Sequence, residues 1–204
     1  MSRYTGPITK ISRRLGIILF ANGESKTKAF NQKNYKPGEH GQKRFSKKSE
    51  YKKQLEEKQK ARFMFGISEK QSRKYYDMAS KSQDVTGLEY MRTLERRLDN
   101  VIYRAGLANT RQQARQIVSH GLVNYNGRKA KTPSILVQTG DKFEVRENRK
   151  GSKLFEEIKS AKHKDPKWLK TDRQGLKGEV IALPDKDDIE QIIEHQLITE
   201  FYSK

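Results

Sequence analysis

The spacing of apolar residues from 94 to 106 constrains the fold of this chain more than any other feature of its sequence. These residues recur at intervals of three and four, which places them on one face of a helix; they are Leu94, Leu98, Val101, Ile102 and Ala105. Gly106 then stands where the C-terminal cap of a helix is expected. The pattern predicts one amphipathic helix that begins at Leu94 and ends before Gly106.

A second helix and a small sheet are predicted directly afterwards. Thr110 with Gln113 three residues later is typical of a capping box. Asn126-Gly127 favours a tight hairpin turn, and strand-like runs follow at 135–137 and 143–145. We expect a compact module of two short helices and a small sheet, with these residues in its core: Leu94, Leu98, Ile102, Ala114, Ile117 and Val118.

The charge of the chain indicates a polyanionic partner. The formal net charge is +19, and a basic protein that neutralises phosphates gains affinity by releasing condensed counterions. Hydrophobic residues make up 33% and charged residues 34% of the chain, which favours small packed units over one large core. An anionic membrane is the rival partner, but the longest early apolar run, 15–20, is far too short to span a bilayer. The sequence therefore predicts a nucleic-acid partner and no membrane association.

Several kinds of chemistry are excluded by what the chain lacks. It contains no cysteine, which rules out disulfides, thiol nucleophiles and cysteine-ligated zinc. Its four histidines are scattered, with no metal-ligand pair at helical spacing. A glycine-rich phosphate loop, a nucleophile elbow and a plausible pair of catalytic carboxylates are also missing. We therefore predict no catalytic residue, no metal, no cofactor and no small-molecule substrate.

The segment that carries the apolar pattern resembles a known RNA-binding motif, the S-four RNA-binding domain (αL-type motif). The residues that carry this resemblance are Leu94-Glu95-Arg96-Arg97-Leu98, Ile102-Tyr103-Arg104, Ala108, Thr110, Ala114-Arg115 and Ile117-Val118. The rest of the chain resembles the small-subunit ribosomal protein S-four family through Arg3-Tyr4, Gly6-Pro7, Ser12-Arg13-Arg14, Pro37-Gly38, His40-Gly41, 54–60, Tyr75-Tyr76, Trp168-Leu169 and Tyr202-Ser203-Lys204.

The resemblance implies an α+β fold in which a mostly helical N- and C-terminal domain carries an inserted small α/β RNA-binding domain of the S-four type. Residues 1–45 are expected to form a basic, RNA-facing loop and helix segment. Residues 46–87 and 147–204 are assigned to the helical domain, and residues 88–146 to the RNA-binding domain. The composition of 80–87 is typical of a linker. Some family members carry a cysteine-ligated zinc knuckle near the N-terminus, which this chain cannot form.

Arg111 and Arg115 are the strongest candidates for phosphate contacts. They lie one turn apart near the start of a predicted helix and have no acidic neighbour at a spacing of three or four residues. The guanidinium fork matches phosphate oxygens. Other arginines of the module cannot all be buried without a partner, so we expect some to pair with Glu95 or Asp99, and Arg96 and Arg97 are the main alternatives for such pairing.

The full set of predicted RNA-binding residues extends over the chain. Residues 1–75 hold most of the positive charge, interleaved with aromatic rings that could stack on bases. By resemblance, His120 is an additional contact, although a core or surface histidine is an equal alternative. By resemblance too, Lys43, Arg44, Lys47 and Lys48 lie near the mRNA entrance channel and contact mRNA or nearby rRNA; the alternative, compatible with this one, is a basic arm that becomes ordered only on RNA. The set comprises Arg3, Arg13, Arg14, Lys43, Arg44, Lys47, Lys48, Arg62, Arg73, Arg92, Arg104, Arg111, Arg115, His120, Asn126 and Arg128.

Further helices are predicted before the module. Ser12 is expected to cap a short helix, which would place Arg13 and Arg14 near its start, where backbone N–H groups favour phosphate. Residues 49–65 are expected to form a helix with Tyr51 near its apolar face. Residues 31–45 are interpreted as an extended loop.

After the module, we expect Trp168 to tie its segment to the N-terminal part of the chain. Pro184 is expected to begin a last helix, because Asp187, Asp188 and Glu190 would suit its positive end. Residues 179–204 contain seven acidic residues and two lysines. This tail is therefore expected to pack on the basic domain or on a protein neighbour, and not to form an RNA surface.

The resemblance also implies a function. It points to a structural constituent of the small ribosomal subunit that binds the ribosomal RNA as a primary binder, nucleates assembly and contributes to decoding accuracy near the mRNA entrance. A neighbouring small-subunit protein of the S-five type is the implied protein partner. The implied location is the cytoplasm, or an organelle stroma or matrix if the protein is organelle-encoded.

Three other classes of function compete with this interpretation. An S-four-domain RNA-binding regulator or RNA-modification accessory protein outside the ribosome is the closest alternative. A modifying enzyme would need a separate catalytic domain, and no region is large or apolar enough to form one. A DNA-binding regulator is disfavoured because the chain has no recognition-helix arrangement or dimer heptad.

Overall fold

The computed structural model describes residues 4–19, 24–42, 47–160 and 165–204. The chain divides into two compact units, one formed by Met1–Gly87 with Ile192–Lys204 and the other by Leu88–Gln191. We call them the helical unit and the sheet unit. Three of the predicted RNA-binding residues, Arg3, Lys43 and Arg44, lie outside the described residues.

The described part of the helical unit is built from α-helices and the segments between them. The helices are α1 (Ile8–Leu15), α2 (Glu24–Gln32), α3 (Glu50–Met64), α4 (Glu69–Ala79) and α9 (His195–Tyr202). The predicted helix at 49–65 is confirmed by α3, whose N-cap Ser49 accepts a hydrogen bond from the Lys52 N–H. The interpretation of 31–45 as an extended loop is wrong at its start, because α2 continues to Gln32.

The face that α3 buries is largely polar, contrary to expectation. Tyr51 remains 58% exposed, whereas Gln54, Glu57 and Lys58 are buried. The reason lies in α9, which supplies partners for polar groups: Gln54 donates a hydrogen bond to Glu200 at 2.9 Å. Hydropathy periodicity cannot find such a face, since its side chains are polar and their partners are remote in sequence.

The α1 helix begins earlier than predicted, which changes the positions of its arginines. Pro7 precedes its first residue with φ −66°, a value that proline favours and that suits a helix start. Ser12 is therefore a buried residue inside the helix and not its cap, and Arg13 and Arg14 lie in the last turn. The expectation that these two arginines lie at a positive helix start is wrong.

The sheet unit combines helices with one antiparallel sheet. Its first helix, α5, starts two residues before the boundary at Leu88. Its helices are α5 (Thr86–Glu95), α6 (Leu98–Arg104), α7 (Arg111–Ser119) and α8 (Lys153–Ser160). Its strands are β1 (Val123–Tyr125), β2 (Arg128–Ala130), β3 (Lys142–Val145), β4 (Leu169–Asp172) and β5 (Lys177–Val180), in the order β2-β1-β3-β5-β4. The combination of helices with this sheet confirms the predicted α+β fold class.

One predicted helix is two helices in the structure. The α5 helix ends at Glu95 and α6 begins at Leu98, because Arg97 has an extended backbone with φ −65° and ψ 137°. The segment before β3 takes over the backbone hydrogen bonds at the break: the Leu98 N–H donates to the Ile135 carbonyl at 2.8 Å. Arg97 and Leu136 form an isolated antiparallel bridge, so the strand predicted at 135–137 is reduced to this single bridge.

The hairpin between β1 and β2 confirms the predicted Asn126-Gly127 turn. Asn126 has φ 49° and Gly127 has φ 75°, and two consecutive positive φ values are typical of the type I′ turn that matches strand twist. The register pairs Tyr125 with Arg128 across the turn. The alternation of strand side chains then places Lys129 on the opposite face from Arg128.

The core of the sheet unit contains all six residues predicted from helical spacing. Each of Leu94, Leu98, Ile102, Ala114, Ile117 and Val118 is at most 2% exposed. Most of them share a hydrophobic cluster with later residues of the chain, namely Phe155, Ile158, Trp168, Leu169, Leu176 and Val180. Burying such apolar area against the sheet is the main favourable term that holds the later segment in place.

The predicted assignment of 147–191 to the helical domain therefore differs from the structure. The β5 strand pairs with β3 of the module, and Trp168 lies in the same cluster at 2% exposure. Trp168 anchors its segment to the sheet unit and not to the N-terminal part as expected. Only Ile192–Lys204 returns to the helical unit.

The last helix also begins later than predicted. Asp185 caps a single 3-10 turn, Lys186–Asp188, in which the Asp188 side chain accepts from the Asp185 N–H. Ile189 is then extended, with ψ 150°, so no helix starts at Pro184. The α9 helix begins at His195, within the predicted stretch but eleven residues further on.

Candidate nucleic-acid interface

The buried carboxylate of Glu95 holds one of the predicted RNA-binding arginines. Glu95 has no exposed surface and accepts two hydrogen bonds from Arg104, from Nε at 2.9 Å and from Nη2 at 2.7 Å. Asn100 Nδ2 donates a further hydrogen bond to Glu95. Burial alone would lower the pKa of Arg104, but the hydrogen bond and charge of Glu95 outweigh it and raise that pKa. Arg104 thus compensates a buried charge that would otherwise be costly.

Arg111 also has partners inside the sheet unit, contrary to the premise of its prediction. Its Nε donates to Asn100 Oδ1 at 2.8 Å, its guanidinium lies 4.6 Å from the centre of the Tyr103 ring, and its Nη2 forms an ion pair with Glu190. Arg104 Nη2 lies 3.1 Å from the same Glu190 oxygen. The neighbours of Arg111 along its helix are not acidic, but the fold brings a carboxylate from 79 residues later in the chain.

The ionisation of Glu190 reflects these two arginines. Burial by itself would raise the pKa of the carboxyl group, but the positive charges of Arg111 and Arg104 outweigh burial and hold that pKa below its ordinary value. The Glu190 side chain is 19% exposed, with 16% for Arg111 and 23% for Arg104. The group is therefore an ionised, half-buried triad at the start of α7.

The other arginines of the motif are structural as well. Arg97 is 1% exposed and forms a double hydrogen bond with Asp99, at 3.0 and 2.6 Å, which confirms the pairing considered for it. Arg92 pairs with Glu89 at 2.8 Å and donates to the Pro184 carbonyl. The contact with Pro184 joins α5 to a later segment of the unit, whereas Arg97 pairs locally at the start of α6. Both arginines therefore stabilise the fold.

The β2 strand presents the cations of the sheet unit differently. Arg128, Lys129 and Lys131 are exposed, and β2 is an edge strand of the sheet. An added Cβ at Gly121 would meet Lys129 Cε at 2.4 Å and Lys131 Cγ at 3.4 Å, so both lysines pass over the end of α7. His120, which is exposed, precedes Gly121. We call Lys129, Lys131 and His120 the β2 basic surface, and Arg128 lies on the other face of the strand.

The charge around this surface is strongly biased. No Asp or Glu occurs from 100 to 140, whereas six Lys and Arg residues do. In register, Lys129 lies opposite Asn124 of β1, and Asn124 separates it from Glu144 of β3, which accepts a hydrogen bond from Asn124 at 3.3 Å. Lys131 was not among the predicted contacts, because β2 is only three residues long and has no apolar alternation that would indicate which face its lysines share.

The predicted contact at Asn126 is used inside the protein. Its Oδ1 accepts the Lys142 N–H at 2.8 Å and its Nδ2 donates to Asp141 at 2.8 Å. Asp141 also accepts from the Tyr125 hydroxyl. Burial would raise the pKa of Asp141, but the hydrogen bonds from Tyr125, Asn126 and the Gln138 N–H outweigh it and lower that pKa. Asn126 therefore fixes the hairpin tip, and both polar atoms of its side chain are engaged.

The pKa of Tyr125 shifts in the opposite direction. Burial and the hydrogen bond to ionised Asp141 raise the pKa of the Tyr125 hydroxyl to about 12. The pair adds rigidity to the turn that carries Arg128.

The remaining candidates have mixed environments. Arg115 is half-exposed on α7, and Arg14 and Lys47 are exposed in the helical unit. Several others take part in ion pairs or polar contacts: Arg13 donates to the Tyr35 carbonyl at 3.0 Å, Lys48 pairs with Glu56 at 2.5 Å, Arg62 lies 3.5 Å from Glu69, and Arg73 lies 3.9 Å from Asp77.

Other kinds of site find no support in the described ranges. Within 4–19, 24–42, 47–160 and 165–204, no three histidine or acidic side chains come together in a way that could hold a metal ion. Among the same residues, no helix has the length and hydropathy needed to cross a bilayer.

Comparison with known proteins matches the whole chain. The family model described as "Ribosomal protein S4/S9 N-terminal domain" matches residues 3–95, and the model described as "S4 domain" matches residues 96–143. Proteins named small ribosomal subunit protein uS4 are 44% identical in Halothermothrix orenii, 46% in Caldicellulosiruptor saccharolyticus and 46% in Persephonella marina, each over 100% of both chains. The chain belongs to the uS4 family of small ribosomal subunit proteins.

Proposed function

We propose that this protein is a structural component of the small ribosomal subunit and binds the ribosomal RNA of that subunit. The observation that carries the proposal is the β2 basic surface, an exposed set of cations on a rigid edge strand in a chain that matches its family end to end. The family consists of structural ribosomal proteins, and the protein is not an enzyme.

The β2 basic surface is suited to binding the phosphate backbone of a folded RNA and not to recognising individual bases. The lysine ammonium groups of this surface can contact phosphates, but they do not form the base-edge contacts that distinguish one base from another. They therefore recognise the course of the RNA backbone. The hairpin tip, fixed by Asn126 and Asp141, limits the entropy lost when the cations dock. A rigid cationic edge therefore favours an RNA whose fold presents phosphates at matching positions.

More detailed roles belong to the same proposal. The protein acts as a primary rRNA binder that nucleates assembly, contributes to decoding accuracy and contacts a neighbouring small-subunit protein of the S-five type. Exposed Lys47 and the Lys48–Glu56 pair contact mRNA near its entrance, together with Lys43 and Arg44. The location that follows is the small ribosomal subunit in the cytoplasm.

A competition titration tests the proposal. The purified chain is titrated into labelled small-subunit rRNA, with tRNA and duplex DNA as competitors at matched salt. We expect retention on the rRNA when either competitor is present in excess. If the complex neutralises ~6–10 phosphates, affinity falls by ~10³–10⁵ between 50 and 200 mM salt. Equal displacement by tRNA, or no binding at low salt, contradicts the proposal.

A further inference from the structure

Glu190 occupies a position between two arginines that a phosphate could occupy. Its carboxylate forms ion pairs with Arg104 and with Arg111, the two-guanidinium arrangement that also suits phosphate oxygens. Planar forks of this kind accept either anion, because both present oxygens at similar spacing.

The two arginines do not depend on Glu190 for their positions. Arg104 is held by two hydrogen bonds to the fully buried Glu95. Arg111 is held by Asn100 Oδ1 at 2.8 Å and lies over the Tyr103 ring. Both positions are therefore set by α5 and α6, and the guanidiniums stay close together when the third member of the triad leaves.

Glu190 is the member of the triad with the least support. It follows the 3-10 turn Lys186–Asp188 and the extended Ile189, and it is followed by exposed residues 191 and 192. A residue in such a segment can move away at a smaller cost than one inside a helix, since fewer backbone hydrogen bonds must break. The triad is also partly open to solvent, with side chains 16–23% exposed.

We propose that Arg104 and Arg111 form a phosphate-binding site that Glu190 closes, and that an RNA phosphate displaces the Glu190 carboxylate on binding. The inference rests on the proposed function for the identity of the RNA, but the site itself takes any accessible phosphate group. Glu190 acts as a tethered competitor, so the apparent affinity equals the intrinsic affinity multiplied by the fraction of molecules in which the site is open.

The test compares Glu190→Gln with Asp187→Asn. Both substitutions remove one negative charge from the same segment, but Asp187 is exposed in the 3-10 turn and does not line the site. We expect Glu190→Gln to tighten binding to small-subunit rRNA by about 5- to 20-fold at 0.1 M salt, because the competitor is lost. We expect Asp187→Asn to change binding by less than about twofold, as a charge effect at a distance.

Salt dependence gives a second readout of the same variant. With the site open, one more phosphate is neutralised, so the slope of log affinity against log salt becomes steeper by about 0.7 to 0.9. Adding Arg111→Gln to Glu190→Gln should return both the slope and the affinity toward the wild type. Where the wild type binds rRNA, unchanged or weaker rRNA binding by a folded Glu190→Gln protein overturns the proposal.

Inorganic phosphate separates the site from the proposed function. At constant ionic strength set with chloride, phosphate should raise the midpoint of thermal unfolding of Glu190→Gln more than that of the wild type or Asp187→Asn. If this stabilisation occurs while no variant binds rRNA, the site stands and the proposed function fails. If Glu190→Gln equals the wild type both in its stabilisation by phosphate and in its affinity for rRNA, the proposed site is refuted. If Glu190→Gln does not fold, Glu190→Asp replaces it in the test, because it keeps the charge but has a shorter side chain that reaches the arginines less well. Glu190→Asp must then bind rRNA more tightly than the wild type, and if it does not, the proposal is overturned.

Discussion

The α5–α7 motif and the β2 strand use the same kind of residue for opposite purposes. In the motif, Arg97 and Arg104 point at the buried carboxylates Asp99 and Glu95. On β2 and directly after it, Lys129 and Lys131 lie on the surface over the end of α7. The first set holds helices together and the second set is available to an external polyanion, although both look alike as positive charge in a basic chain.

The difference follows from the cost of burial. A charge that loses its water must gain a partner with good geometry, so Arg97 and Arg104 are each matched by a carboxylate. A charge at an edge strand keeps its hydration and has no such requirement. The number of cations in the sequence therefore predicts that the protein binds a polyanion, whereas the burial of each cation decides whether it can contact that polyanion.

The largest effect is expected at the centre of the buried network. Glu95→Ala removes the partner of Arg104 and Asn100, so we expect a loss of about 3 kcal/mol in the free energy of unfolding, since breaking a buried ion pair strands a charge. Glu95→Gln keeps the shape and one acceptor and should lose less. Chemical denaturation of both proteins measures the difference.

If Glu95→Ala were as stable as the wild type but bound rRNA poorly, Glu95 would act at the RNA surface, and the distinction between the two regions would fail.

An intermediate effect is expected on the β2 basic surface. The double substitution Lys129→Ala with Lys131→Ala should make the negative slope of log affinity against log salt shallower by about 1.4 to 1.8, because two phosphate contacts are lost. Stability should stay within about 0.5 kcal/mol, because both side chains are exposed.

The matched control replaces two lysines at the far end of the sheet, Lys170→Ala with Lys177→Ala, both exposed. It removes the same charge and should leave the salt slope nearly unchanged. Equal slopes for the two double variants would show that net charge, and not the β2 edge, governs binding.

A smaller effect is expected at the hairpin tip. Tyr125→Phe removes the hydrogen bond to Asp141, which should cost about 1 kcal/mol. The pKa of Tyr125 is raised from an ordinary 10.0 to about 12, so its contribution to stability is complete below pH 10 and is lost as the pH rises through about 12.

Unfolding measured from pH 8 to 12 should thus show wild type and Tyr125→Phe converging at the alkaline end. The absence of a gap at pH 8 would mean that the hydroxyl of Tyr125 does not stabilise the turn, and a gap that stays constant up to pH 12 would mean that its contribution does not depend on ionisation.

The smallest effect concerns the acid side of the triad. The pKa of Glu190 lies below its ordinary 4.5, so its stabilising contribution is present above that ordinary value and is lost as the pH falls through the lowered one. The stability difference between wild type and Glu190→Gln should therefore be constant near neutrality and disappear in acid. A difference that persisted at the lowest pH would separate Glu190 from the charges of Arg104 and Arg111.

Local pattern alone was sufficient for several features of this protein. Helical spacing identified the core from Leu94 to Val118, and Asn126-Gly127 identified the hairpin, because periodicity and turn chemistry depend on near neighbours only. The overall charge identified the class of partner, since a long-range field depends on the sum of charges and not on their arrangement.

Tertiary structure alone decided where the helix breaks and which arginines remain available. The break at Arg97 depends on backbone groups near residue 135 that compete for the helix hydrogen bonds, and the pairing of Arg111 depends on Glu190, 79 residues away. Both are contacts between segments distant in sequence, so no local window contains the competing partner. For this chain, the sequence determines which charges are present, and the fold determines which of them are exposed and able to contact a phosphate.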